Sequence, residues 1–150
     1  MSGVSLDFSF DDAEVVRFLN GLSDVAIDAL AYNVGALLES STKERLATGQ
    51  SSPEGEPWAD WSEGYAATRS AHHSLLIDSG NPGLLESIQN YSSGGTAEVG
   101  SNMVYAAIHQ FGGAGAGKPE IVARPYLGVS TDDRRDVRDL IMGDLAGLAQ

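Results

Sequence analysis

Cysteine is absent from the 150 residues of this chain. Its absence excludes disulfides, iron–sulfur clusters, thiolate zinc sites and cysteine nucleophiles together, and it fits a reducing compartment. Basic side chains are scarce. Nine Lys and Arg stand against 21 Asp and Glu, a formal charge of −12, which repels phosphate backbones and disfavours direct nucleic-acid binding. Long apolar runs are lacking too. The most apolar stretch, Ala29 to Leu38, contains Asn33 and falls far short of the roughly 20 residues a membrane span needs. Met1 to Phe10 has no basic n-region and already contains Asp7, so it does not read as a signal peptide. No membrane partner is expected.

What remains is enough for one packed unit. At 42% hydrophobic residues, a chain of this length forms a single domain, 1–150, that buries ~70% of its unfolded surface without a metal or disulfide staple. The acidic excess is spread along it. Residues 1–48 carry 3 basic and 8 acidic side chains, 49–80 carry 1 and 5, 81–130 carry 2 and 3, and 131–150 carry 3 and 5. That is the pattern of a folded surface, since a disordered acidic arm would show one long run.

Periodicity places the elements. Leu6, Phe8 and Phe10 alternate with Asp7 and Ser9, which predicts a short strand. Asp11, three residues before Glu14, predicts the start of a helix through Val15, Val16, Phe18 and Leu19, ending at Gly21. Ser23 caps a longer helix in which Ile27, Leu30, Val34, Leu37 and Leu38 form an apolar face, closing near Gly49. Two prolines and Gly55 make 49–57 a flexible polar loop. Ser62, Ala66, Ala67 and Arg69 predict a turn or two of helix. The apolar run Leu75 to Ile77 stops at the turn Asp78-Ser79-Gly80, and Leu84, Leu85 and Ile88 lie on a short helix or lead into a strand.

The second half alternates more quickly. Ser92-Ser93-Gly94-Gly95 predicts a hairpin turn between Ile88 to Tyr91 and Thr96 to Val99. Met103 to Phe111 has helical spacing, 112–119 reads as a flexible glycine-rich loop, and Ile121-Val122 reads as a strand bounded by Pro119 and Pro125. Ser130 and Asp133 form a capping box for a C-terminal helix with Val137, Leu140, Ile141, Leu145 and Leu148 on one face. The order predicts an α+β fold, with a small, mainly antiparallel sheet packed against a long N-terminal helix and a C-terminal helix.

Tests for chemistry are mostly negative. Gly112 to Lys118 matches the first seven positions of a phosphate-binding P-loop, but Pro119 stands at the eighth and has neither a hydroxyl nor an N–H. The adjacent His72 and His73 cannot both face one metal from a regular helix, and read as solvated loop residues. His109 reads as a packing histidine, with a general base, and so a small hydrolase using Ser130 or a carboxylate, as the alternative. Ser130 lacks the second glycine of a nucleophile elbow and occupies a cap position. Trp58 and Trp61 read as anchors in packing or at a protein interface, with sugar stacking or a peptide-binding adaptor as the alternatives. Neither enzyme activity nor a cofactor or metal is predicted.

The stretch Val104-Tyr-Ala-Ala-Ile-His-Gln-Phe-Gly-Gly113, followed after a variable loop by Ile121-Val-Ala-Arg-Pro-Tyr-Leu-Gly-Val-Ser130, closely resembles the signature of the phage virion morphogenesis family, also called the phage tail completion family. Pro53-Glu-Gly-Glu-Pro-Trp58 resembles its Pro-x-Gly-x-Pro-Trp loop, Leu76-Ile-Asp-Ser-Gly80 its Leu-x-Asp-Thr-Gly turn, and Leu85-Glu-Ser-Ile88 the Leu-x-x-Ser-Ile that follows. The family usually places a basic residue after that turn, where Asn81-Pro82-Gly83 stands here.

The resemblance implies a structural virion protein that completes the tail as a ring, six-fold by analogy, at the head-proximal end. Its partners would be other copies of itself, the tail tube, and neck or head-completion proteins, with a neck or head–tail connector subunit as the runner-up. It would be located in the virion tail or neck, and in the host cytoplasm during assembly. Acidic side chains lining the ring would let DNA pass without sticking. Trp58, Trp61, His109, Gln110, Phe111, Gly112, Gly113, Arg124, Pro125 and Tyr126 are the candidate interface residues. For Phe111, Arg124, Pro125 and Tyr126 a second reading is open, that they pin the glycine-rich loop to the core. Tyr105, Ile108 and Leu127 are assigned to the core.

Overall fold

The computed structural model of the chain describes residues 12–68, 74–77, 83–114 and 120–148. The expected strand at Leu6 to Phe10, Asp11, Arg69, the His72-His73 pair, the turn at 78–80 and part of the glycine-rich loop, 115–119, lie outside these residues.

Helix α1 (Ala13–Leu19) starts one residue later than the spacing predicts, because Asp12 caps it. Asp12 Oδ1 accepts from the backbone N–H of Glu14 and Val15. Ser23 caps α2 (Asp24–Glu44) by accepting from Ala26 N. Its predicted face points inward, with Leu30 and Val34 buried. The helix then widens into a π turn, Arg45–Gly49, and stops at Gln50 in the left-handed region (φ 51). Wider pitch rotates the following side chains relative to the α-helical phase. Arg45 and Leu46 are both buried there.

The 50–57 loop is closed by a bridge between Ser51 and Pro57, and Trp58 N donates to Gln50 O at 3.0 Å. Short helices α3 (Glu63–Thr68) and α4 (Leu84–Ser87) follow. The sheet is a two-stranded antiparallel hairpin, β1 (Gln89–Asn90) with β2 (Val99–Gly100). Its tip is tightened by Gly94 and Gly95, both at positive φ (58 and 78), the turn whose twist matches antiparallel strands. The hairpin rests on α2, where Asn90 Nδ2 donates to Tyr32 O. Helix α5 (Ala106–Phe111) comes next. The predicted strand at Ile121-Val122 is a correction: only Ile121 pairs, in a single bridge to Gly113, and the chain beyond it runs to Ser130 without regular structure. Pro125 cannot donate to a ladder. The Ser130–Asp133 capping box is present with both bonds at 2.9 Å and opens α6 (Thr131–Leu148).

Among the described residues two apolar clusters result. In one, Val15 of α1, Leu30 and Val34 of α2, and Val137 and Ile141 of α6 pack together in a helical layer. In the other, Leu46, Trp58, Leu84, Ile88, Ala106, Tyr126 and Leu127 gather side chains from turns, loops and short helices. The fold is α+β as expected, with the hairpin against the long helix.

Candidate functional site

The segment 124–127 has no helix or sheet to satisfy its backbone, so its polar groups must find partners elsewhere. Gln110 of α5 supplies three of them. Its Oε1 accepts from Tyr126 N (3.0 Å) and Leu127 N (2.9 Å), and its Nε2 donates to Leu127 O (3.1 Å). Trp58 Nε1 donates to Pro125 O at 2.8 Å, and Arg45 Nη1 donates to Tyr126 O at 2.7 Å. The Tyr126 ring is wholly buried, and its hydroxyl donates to Ala106 O at 2.8 Å. Burial first, and then Tyr105, hold that phenol well above its ordinary pKa.

Arg45 ties this clip to the helical layer. Its Nη2 donates to Asp133 Oδ2 at 3.1 Å and to Ser41 Oγ at 3.3 Å. Ser41 Oγ in turn donates to Asp133 Oδ1. Burial alone would raise the Asp133 pKa, but hydrogen bonding by Ser41 and Ser130 and the charge of Arg45 outweigh it, so the carboxyl sits below its ordinary value. One buried ion pair therefore joins α2, α6 and the 124–127 segment.

On the outer side, Arg124 N donates to His109 O at 2.8 Å. Its guanidinium donates to the carbonyls of Ala59 (2.8 Å) and Asp60 (2.9 Å). Gly112 turns the chain at φ 72, where an added Cβ would lie 2.8 Å from the Ala123 nitrogen and the Ile121 oxygen. Glycine is required there on both counts. The result is a fixed edge that carries apolar groups into solvent. Phe111 is 59% exposed, Val104 80% and Val122 53%. Tyr105, expected in the core, also lies at this surface, its ring edge-on to His109 with centroids 5.7 Å apart. Tyr105 leads into a short helix whose buried positions are Ala106 and Gln110, which leaves it on the outside.

His109 itself is half-buried, and its Nδ1 is enclosed with no hydrogen-bond partner among the described residues. Burial first, and then the charge of Arg124, lower its pKa.

The predicted residues therefore divide by depth. Trp58, Gln110 and Tyr126 lie inside the fold, with their polar atoms used to hold the clip. Pro125, Arg124, Gly112 and Gly113 form its half-buried frame. Trp61 is half-buried and pairs with Tyr65 at 6.0 Å. Phe111 is the one that projects. Ser130 Oγ is the helix cap, accepting from Asp133 N. Sequence reasoning missed Arg45 altogether. The available signal was its phase: it falls eleven residues after Val34 and seven after Leu38, on the buried face of α2, where a charge requires a partner. Among the described residues no group of acidic or histidine side chains could hold a metal ion, and no helix is long and apolar enough to cross a membrane.

The signature segment is thus spent on internal hydrogen bonds, beside exposed apolar side chains. The chain belongs to the phage virion morphogenesis family, which it matches over residues 10–146. It is 30% identical over 146 residues to protein G of Escherichia phage Mu, whose name links it to capsid assembly, covering 92% of each chain. It is 47% identical over 64 residues to Mu-like prophage FluMu G protein 2 of Haemophilus influenzae, covering 41% of this chain and 45% of that protein. No solved structure matches it.

Proposed function

We propose that this protein is a non-enzymatic subunit that completes the phage tail and joins it to the neck or head, working as a homo-oligomeric ring. The observation that carries the reading is the edge formed by Val104, Tyr105, Phe111 and Val122, exposed apolar groups mounted on a rigid clip. Such a patch marks a protein–protein contact. A ring built from one chain needs two different faces, each docking on the other in the next copy. The tail tube would lie on one side of the ring and the neck or head-completion proteins on the other. The charge of −12 would repel DNA passing through the ring and slow non-specific association.

Loss of the gene tests the reading. Filled heads and unattached tails should accumulate together, and the protein labelled in intact particles should lie at their junction. Normally joined, infectious particles that lack the protein would sink the proposal. A second reading, a connector on the head side, is favoured by the name of the phage Mu relative. In that case the mutant should yield tails of normal length beside defective heads, with the protein found on isolated heads.

A further inference from the structure

Helix α2 carries a second apolar stripe that its buried face does not explain. Val25, Ala29, Tyr32 and Ala36 follow one another at spacings of four, three and four, and all four are exposed. This is the spacing of one helix face, directed away from the buried Leu30 and Val34. Val25 is 81% exposed and Tyr32 59%. Asn90 Nδ2 donates to the Tyr32 carbonyl, and the next residue in the hairpin, Tyr91, is 42% exposed.

We infer that this α2 stripe is the surface onto which the Phe111 edge of a second copy of the chain docks, head to tail. The inference rests on the ring reading and names its two faces.

The two patches sit toward different ends of α2. The clip beneath Phe111 is held by Arg45, just beyond the C-terminal end of α2, whereas the stripe runs from Val25 to Ala36. Along the helix Arg45 is about 14 Å from Ala36 and about 30 Å from Val25.

Shape and area agree. Phe111 projects just before the Gly112 turn, and Val104, in the turn that precedes α5, is 80% exposed. Exposed Val104, Tyr105, Phe111 and Val122 amount to on the order of 400 Å² of apolar surface. The exposed parts of Val25, Tyr32 and Tyr91, with the two alanines, come to a similar order. A standard interface takes about 800 Å² from each partner, with its apolar core supplying half or more. Each patch is the right size for that core.

Charge sets the orientation. Residues 81–130, which carry the Phe111 edge, have 2 basic against 3 acidic groups, whereas residues 1–48 have 3 against 8. Two Phe111 edges meeting would bury no acidic stretch but would leave both stripes bare. Two stripes meeting would set Asp24 and Asp28 of one copy against those of the other. Edge on stripe avoids that apposition and uses both patches.

Mixing two assembly-defective variants tests this. Phe111→Asp spoils every edge and Tyr32→Asp every stripe; both residues are exposed, so each subunit should keep wild-type circular dichroism and unfolding midpoint. By native mass spectrometry, wild type should form closed oligomers and each variant alone should be monomeric. The mixture should form heterodimers and nothing larger, because only one intact edge and one intact stripe remain to meet. If wild type forms rings and either variant still does, or if one variant alone dimerises, the pairing of faces is overturned while the ring stands. If wild type is monomeric throughout, the ring reading itself fails.

Discussion

The two apolar clusters hold their parts of the molecule by different means. In the layer of α1, α2 and α6, regular helices satisfy their own backbone, and stability comes from interdigitated Leu, Val and Ile. Around Tyr126 the chain is irregular, and Gln110, Trp58 and Arg45 must satisfy its backbone with their side chains. The first arrangement tolerates exchange of one apolar residue for another of similar size. The second depends on particular polar atoms, and a partner removed leaves a buried group without water.

This contrast is sharpened most by Arg45→Ala. It strands the Asp133 carboxylate and the Tyr126 carbonyl in the interior, and should cost about 3–5 kcal/mol by denaturant unfolding. A loss below about 1 kcal/mol would show that the pair is solvated and would erase the distinction. Next comes a matched exchange. Gln110→Met keeps the side-chain length but removes three hydrogen bonds, and should cost roughly 2–4 kcal/mol. Leu30→Met in the helical layer should cost less than about 1.5 kcal/mol. Equal losses from the two would break the comparison.

Acid should act on the clip in two steps. His109 has a folded pKa below its ordinary 6.5, so its contribution is complete above pH 6.5 and is lost as pH falls from there through the folded value. Asp133, held below 3.8, gives a contribution present above that pH and lost as pH falls through its folded value. Urea midpoints measured against pH should show both declines in the wild type and only the lower one in His109→Phe. The smallest effect belongs to the exposed pairs of Arg138 with Asp12 and Glu14, which join α6 to the start of α1. Arg138→Ala should shift the urea midpoint only slightly, and the difference should vanish in high salt, since exposed pairs are screened.

The same contrast explains what could be read in the sequence. Ser23, the Leu30–Val34 face and the Ser130–Asp133 box announce their helices by spacing and capping chemistry, and the structure places them where the pattern does. The hairpin follows from Gly94-Gly95, whose positive φ values few other residues adopt easily. The 121–130 segment carries no period, so Ile121-Val122 looked like a strand although the chain there is held by side chains far away in sequence. Gln110 stood out through the family motif, but its amide is directed inward, and motif spacing does not report depth. Arg45 was hidden because its partners lie 81 and 88 residues further on. The outer stripe of α2 escaped notice because Leu30 and its neighbours already accounted for that helix as amphipathic.

Those long separations also set an order of events during synthesis. Arg45 reaches its full set of partners only when Tyr126 and Asp133 exist, and Asp133 belongs to the opening turn of the last helix. Contacts that close loops of this length form late. A nascent chain still on the ribosome has already made the α2 stripe and Phe111, but it has not yet fixed the clip that mounts Phe111. The mount of the exposed edge is completed by a segment translated after it, so a product truncated before Asp133 carries Phe111 without the ion pair that fixes its support.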